Sequence, residues 1–143
     1  MRRLTQNTKV EALRRAPLFA GLSKKELIEL ARVTEDLQVS AGTVLCKEGG
    51  LGREFYVIVE GTAEVTRGGK PVVTRREGEF VGEIALLTTA RRTATVTAAT
   101  PLRCLILMRG DFRRVLDDNR NIERKVMEAL ADRLAGYAAD PAF

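Results

Sequence analysis

The chain has no histidine, and among its 143 residues only two are cysteines and two are serines. The missing imidazole removes Ser-His-Asp and Cys-His nucleophile systems and ordinary zinc catalysis, which depend on that base or ligand. Neither Ser23 nor Ser40 stands in the setting of a nucleophile elbow. No G-x-x-x-x-G-K-[ST] run is present, so a triphosphate-cleaving loop is not expected. Catalysis is therefore not expected, and neither is a metal site. Cys46 and Cys104 fit no metal or redox spacing and read as buried, reduced thiols. No apolar run approaches the roughly 18 residues of a membrane span. The opening MRRLTQNTKV is basic but has no apolar stretch behind it, so it does not read as a secretory signal. The expected location is cytoplasmic.

What is present describes an ordinary globular chain, with 45% apolar and 30% charged residues. Its length suits a single domain over residues 1–143, large enough to bury a core without staples. The net charge of +5 raises nucleic-acid binding as a reading. However, the basic residues fall in scattered pairs such as Arg14-Arg15, Lys24-Lys25 and Arg113-Arg114, answered by nearby acids. No dense basic tract supports that reading.

Three regimes follow one another. Residues 1–35 read as helical: Thr8 and Glu11 suggest a capping box, and Pro17 ends the helix. In GLSKKELIELARV, Ser23 caps, Glu26 reaches back, and Leu22 can staple onto Leu27. From 36 to 109, turn signals recur between short β-branched segments such as EFYVIVE, TAEVTR, PVVTRR and RCLILM. About eight strands spaced this way predict a jelly-roll-like antiparallel β-roll, the chain being mainly β with flanking α. The glycine-rich KEGGLGREF lacks a following helix pattern and reads as a simple turn. Residues 110–139 are helical again. Asp111 is a candidate cap, DDNRN marks a break, and Ile122, Val126, Leu130 and Leu134 recur every four residues with Met127 and Ala131 alongside. That stripe would lie on the barrel or on a twin helix.

Residues 78–96, GEFVGEIALLTTARRTATV, combine features of an anion pocket with a carboxylate. Gly78 and Gly82 permit turns and close backbone approach. EIALL is a short helix-capable piece whose first amides would favour an anion. An arginine facing them could take two phosphate oxygens at once. Strand alternation puts Arg92, Ala94, Val96 and Ala98 on the interior side and Arg91 on the other, so Arg92 is the candidate. Thr93 is turned from the interior by the same alternation unless the strand start is irregular. Glu83 beside a phosphate needs its own partner on the ligand, and a ribose 2′-hydroxyl supplies one. A cyclic 3′,5′-phosphodiester on ribose holds both groups rigidly close and carries one negative charge, matched by one arginine without metal.

FVGEIALLTTARRTATV resembles the phosphate-binding cassette of cyclic-nucleotide-binding domains, the family of the bacterial catabolite activator, kinase regulatory subunits and cyclic-nucleotide-gated channels. Phe80, Gly82, Glu83, Ile84, Ala85, Leu86, Arg92, Thr93 and Ala94 match its pattern, with Val81 as an extra residue. EGGLGREFYVIVEGTAEV and LRRAPLFAGLSKKELIELA are similar to other parts of the family, so the resemblance spans nearly the whole chain. It implies that Glu83 binds the ribose 2′-hydroxyl and Arg92 the cyclic phosphate, with the amides of Gly82, Ile84, Ala85 and Ala94 available to the sugar-phosphate. The alternative is a degenerate cassette in which Glu83 and Arg92 pair with each other. Thr93 stands where relatives use a hydroxyl toward guanine, although other members with Thr prefer adenine. The C-terminal helix would act as a lid over the base, with Tyr137 stacking on the purine and Arg133 one turn earlier. The expected function is a sensor or regulatory module for a cyclic purine nucleotide, cyclic AMP being favoured over cyclic GMP because more relatives use it. Ligand would reposition the C-terminal helix and pass the signal to an effector acting in trans, no DNA-binding segment being evident in the sequence. The rival reading is a nucleotide-independent module that homodimerises through the C-terminal helix.

Overall fold

Four successive apolar residues, Phe55 to Ile58, suit a strand only when both of its faces are covered. The computed structural model describes residues 4–82 and 84–139, leaving out the side chains of residues 84, 133, 134 and 136–139. In it this strand is covered twice. One four-stranded sheet has the order β1 (Glu35–Val39), β8 (Leu102–Met108), β3 (Glu54–Glu60), β6 (Phe80–Val81). The other runs β2 (Val44–Cys46), β7 (Thr95–Ala98), β4 (Ala63–Arg67), β5 (Lys70–Arg75). Neighbouring strands in both are antiparallel. Phe55 and Val57 of β3 join Leu105 and Leu107 of β8 in a core shared with the helices. Tyr56 and Ile58 turn the other way and join Cys104 and Leu102 against Val96 and Ala63 of the second sheet. The expected β-roll of eight strands with flanking helices is the observed architecture, in three layers: helices, sheet, sheet.

The helical layer consists of α1 (Gln6–Arg14), a 3-10 turn (Pro17–Phe19), α2 (Lys24–Ala31), the short α3 (Ile84–Leu87), α4 (Arg109–Asp118) and α5 (Arg120–Ala139). Its centre is aromatic. Phe19 meets Phe55 edge-on at 5.8 Å between ring centroids and Phe112 at 5.9 Å. All three rings are fully buried, and burying each such side chain contributes about 1.5–3 kcal/mol.

The second helix begins as its sequence predicts. The Glu26 amide donates to Ser23 Oγ at 3.2 Å, and the Ser23 amide donates to Glu26 Oε1 at 2.9 Å. Leu22 and Leu27 lie in the same buried cluster. Two other expected caps are displaced. Thr5, not Thr8, caps α1: its backbone is extended and its hydroxyl accepts from the Thr8 amide, leaving Thr8 inside the first turn. Asp111 does not cap α4, because β8 runs straight into that helix and the cap position falls on Met108. The acid stands within the first turn, where it still opposes the helix dipole, and pairs with Arg114. The break at DDNRN is real, and the Asn119 side chain accepts from the Asn121 and Ile122 amides beyond it.

The near end of the α5 stripe packs into the helical layer and the core it shares with β3 and β8, while the Leu134 side chain lies outside the described residues. Ile122 and Val126 are fully buried within the helical layer, where α5 packs on the Pro17–Phe19 turn and α4. Met127 is 47% exposed and does not extend the seam. Lys125 Nζ donates to Glu26 Oε1 at 2.6 Å and ties the start of α5 to α2. Burial alone would raise the Glu26 pKa, but the Lys125 ammonium and the Ser23 bonds outweigh it and hold it below the usual range. Cys46 and Cys104 are free and buried, and desolvation pushes both thiols up, Cys104 to about 12. No helix among the described residues is long and apolar enough to cross a membrane.

Candidate ligand-binding cleft

The second sheet, β6, α3 and the loop that follows α3 together border a cleft of about 270 Å³. Its apolar wall comes from Val65, Val72, Val73 and Val96. Val72 is 52% exposed and Val73 38%, so this wall is open to solvent. Facing positions carry four arginines, Arg67, Arg75, Arg91 and Arg92, and no described lining residue is acidic.

Arg92 is the one guanidinium taken inside. Its side chain is 8% exposed. Nη2 donates to the Glu54 backbone oxygen at 2.7 Å and to Glu54 Oε2 at 3.2 Å. Two glycines flank it. A Cβ on Gly52 would lie 2.0 Å from Arg92 Nε, and one on Gly82 2.6 Å from Nη1. Gly82 also has φ +82°, a conformation that any other residue adopts under strain. Its backbone is clamped as well, because the Gly49 amide donates to the Arg92 oxygen at 2.8 Å and the Arg92 amide donates to Gly50 at 2.8 Å. An arginine with its stem sealed and one edge held by Glu54 is a preorganised anion receptor, with little rotamer entropy left to lose on binding.

These contacts revise the reading of KEGGLGREF. The loop is more than a simple turn: it positions Arg92 through Gly49 and Gly50 and leaves room for it at Gly52. Among the described residues the carboxylate that Arg92 meets is Glu54; Glu83, its partner in the degenerate-cassette alternative, lies outside them. Glu54 was not legible as a site residue. It lies 38 positions from Arg92, and nothing in its own segment distinguishes it from an ordinary strand-end glutamate.

Of the other expected site residues, Gly82, Ala85, Arg92, Thr93 and Ala94 all line the cleft. Thr93 and Ala94 precede β7, which becomes regular only at Thr95. The irregular start brings Thr93 to the cleft that strict alternation would have denied it. The same irregularity brings Arg91 to the cleft as well as Arg92. The Ala85 amide is not available to a ligand, because it closes a turn onto the Gly82 oxygen at 3.0 Å. The amides of Gly82 and Ala94 have no hydrogen-bond partner among the described residues. Ile84 begins α3, its side chain outside the description. Glu83 lies outside the described residues, as do the side chains of Arg133 and Tyr137 on α5. No group of metal-ligating side chains occurs among the described residues.

Residues 36–119 match the sequence profile of the cyclic nucleotide-binding domain. The chain is 38% identical to a cAMP-dependent protein kinase regulatory subunit of Yarrowia lipolytica over 73% of its own length and 28% of that protein's. It is 35% identical to a cyclic nucleotide-gated potassium channel of Rhizobium etli, over 84% of the chain and 34% of the channel. It thus spans roughly a third or less of these curated relatives. Among solved structures, the N-terminal domain of a transcriptional regulator from Streptomyces coelicolor A3(2) superposes with a TM-score of 0.84 and 31% identity, covering 90% of this chain and 92% of that one.

Proposed function

The chain belongs to the cyclic nucleotide-binding domain family, and from that premise we propose that it is a non-catalytic sensor whose cleft holds a cyclic purine nucleotide, cyclic AMP in preference to cyclic GMP. The observation that carries this reading is Arg92, buried between two glycines with its remaining N–H groups in a cleft that has no acidic described lining residue. The cyclic phosphate takes those N–H groups together with the amides of Gly82 and Ala94, which have no partner among the described residues. Glu83 accepts from the ribose 2′-hydroxyl, the role its cassette position implies. The base lies against Val65, Val72 and Val73, whose exposed area it covers, with Thr93 beside it. The preference for cyclic AMP rests on the regulatory-subunit relatives, which are named as cAMP-dependent.

In this proposal the ligand draws the far half of α5 toward the cleft, bringing Tyr137 onto the base with Arg133 one turn earlier. The near half is fixed by Ile122, Val126 and the Lys125–Glu26 pair, so the shift is a change of population in the far half. The reading of a dimerisation module that ignores nucleotide has less to draw on, because Ile122 and Val126, the first residues of its seam, are buried inside the helical layer.

Parallel calorimetric titrations with cyclic AMP, cyclic GMP and 2′-deoxy cyclic AMP test the proposal. It predicts binding of the two ribonucleotides, tighter for cyclic AMP, and weaker binding of the deoxy analogue. No heat and no rise in melting temperature at saturating cyclic AMP would overturn it. Equal affinity for ribo and deoxy forms would remove Glu83 from the site.

A further inference from the structure

A cyclic mononucleotide carries one negative charge, yet the cleft presents four guanidiniums. Two of them are balanced locally: Arg92 by Glu54 at 3.2 Å, and Arg75 by Glu79 at 3.2 Å. Arg67 and Arg91 differ. Neither has a carboxylate within ion-pair distance among the described residues. Each instead gives a single N–H to a backbone oxygen: Arg67 Nε to Thr93 at 3.1 Å, and Arg91 Nη1 to Gly49 at 2.9 Å. The nearby acid, Glu48, spends its Oε1 on the Gly68 amide. A guanidinium has five N–H donors in a planar fork, so most of the donors on both side chains stay unused.

The anchors matter as much as the charge. Thr93 follows Arg92 in the chain, and the Gly49 amide binds the Arg92 oxygen. Both extra arginines are therefore tied to the backbone that presents the phosphate-binding arginine, rather than waving in solvent. Anchored guanidiniums with free forks suit a phosphate.

We infer that Arg67 and Arg91 form a second phosphate subsite at the same cleft, filled either by a further phosphate on the cyclic nucleotide itself or by a separate inorganic anion bound beside it. The inference builds on the cyclic-nucleotide reading of Arg92 but draws on different residues. A ligand with two phosphodiesters, such as a cyclic dinucleotide, would engage Arg92 with one and the Arg67–Arg91 pair with the other.

The test titrates the full chain and its R67Q/R91Q variant at low salt with cyclic AMP, cyclic diadenylate, and pyrophosphate added to cyclic-AMP-saturated protein. Glutamine keeps a polar N–H donor on a shorter stem while removing charge, and matched circular dichroism and melting curves confirm that the variant folds. If the second phosphate belongs to the same ligand, cyclic diadenylate binds the wild type about tenfold tighter than cyclic AMP, and the double variant loses that advantage. If it is a separate anion, pyrophosphate binds the saturated wild type without displacing cyclic AMP, and the double variant weakens it about tenfold. Indifference of both probes to the double substitution overturns the subsite. Should cyclic AMP fail to bind while pyrophosphate still responds to the substitution, the cyclic-nucleotide reading falls and the subsite stands.

Discussion

The two sides of the first sheet are built on different principles. The side toward the helices is dry and aromatic: Phe19, Phe55 and Phe112 interlock, and Ile122 and Val126 of α5 close over the same cluster. The side toward the second sheet thins from a small core around Tyr56 and Cys104 into an open, arginine-lined cleft. On the first side, side chains fill space. On the second, glycines leave space, and backbone hydrogen bonds fix what enters it. Stability and recognition are thereby assigned to opposite faces of one sheet, and substitutions can separate them.

The largest expected effect falls on the packed side. Phe55→Ala opens a cavity among rings that cannot collapse and costs about 3–5 kcal/mol of stability, read by urea denaturation. A loss under 1 kcal/mol would mean that the aromatic cluster is not the keystone of the helical layer. On the cleft side, Arg92→Ala lowers cyclic AMP affinity by about 2–5 kcal/mol while the fold survives. An Arg91→Ala variant with an equal loss would show that the phosphate sits on the other arginine. Gly52→Ala is a sharper probe, because its backbone is not in the left-handed region and the nearest atoms its Cβ would meet all belong to the Arg92 side chain. It displaces that group and costs about 1–3 kcal/mol of affinity, whereas Gly110→Ala, with open space around it, costs none.

The smallest effect concerns pH. Glu26 and Asp36 both have folded-state pKa values below their ordinary ones, Glu26 despite burial because of Lys125, Asp36 through Arg103. A depressed carboxylate pKa stabilises the fold above the unfolded value and is lost as pH falls through the folded one. Melting temperature should therefore be flat near neutrality and drop as the pH passes below about 4. Glu26→Ala should cost about 1–2 kcal/mol at pH 7 through its cap and its Lys125 bond. It should also flatten part of the acid drop. An unchanged acid profile would show that the α2–α5 tie is incidental.

The contrast between the sides also explains what could be read from the sequence. Packing follows local periodicity, so the EFYVIVE strand and the Ile122–Val126 seam were legible, although not that Phe55–Ile58 is covered on both faces or what the seam would meet. Arg92 was legible because alternation from Val96 and Ala98 pointed it inward. Glu54 and Gly52 were not: one meets Arg92 through a contact across the fold, and the other matters for the atom it lacks. Alternation extended into residues that precede regular strand places Arg91 on the outer face, and Thr93 reaches the cleft through the irregular strand start on which its role depends. Thr8 reads as the cap of α1 in the sequence, and only the extended backbone at Thr5 shows that the hydroxyl three residues earlier takes that role. Arg67 carried no sign of its position until β4 was set beside the loop.

The most direct test of the account is a crystal structure of the chain with cyclic AMP. It should show a phosphate oxygen about 3 Å from an Arg92 nitrogen, with Gly52 and Gly82 still flanking the guanidinium. A nucleotide bound elsewhere, or a cleft holding only water with Arg92 still satisfied by Glu54, would contradict it.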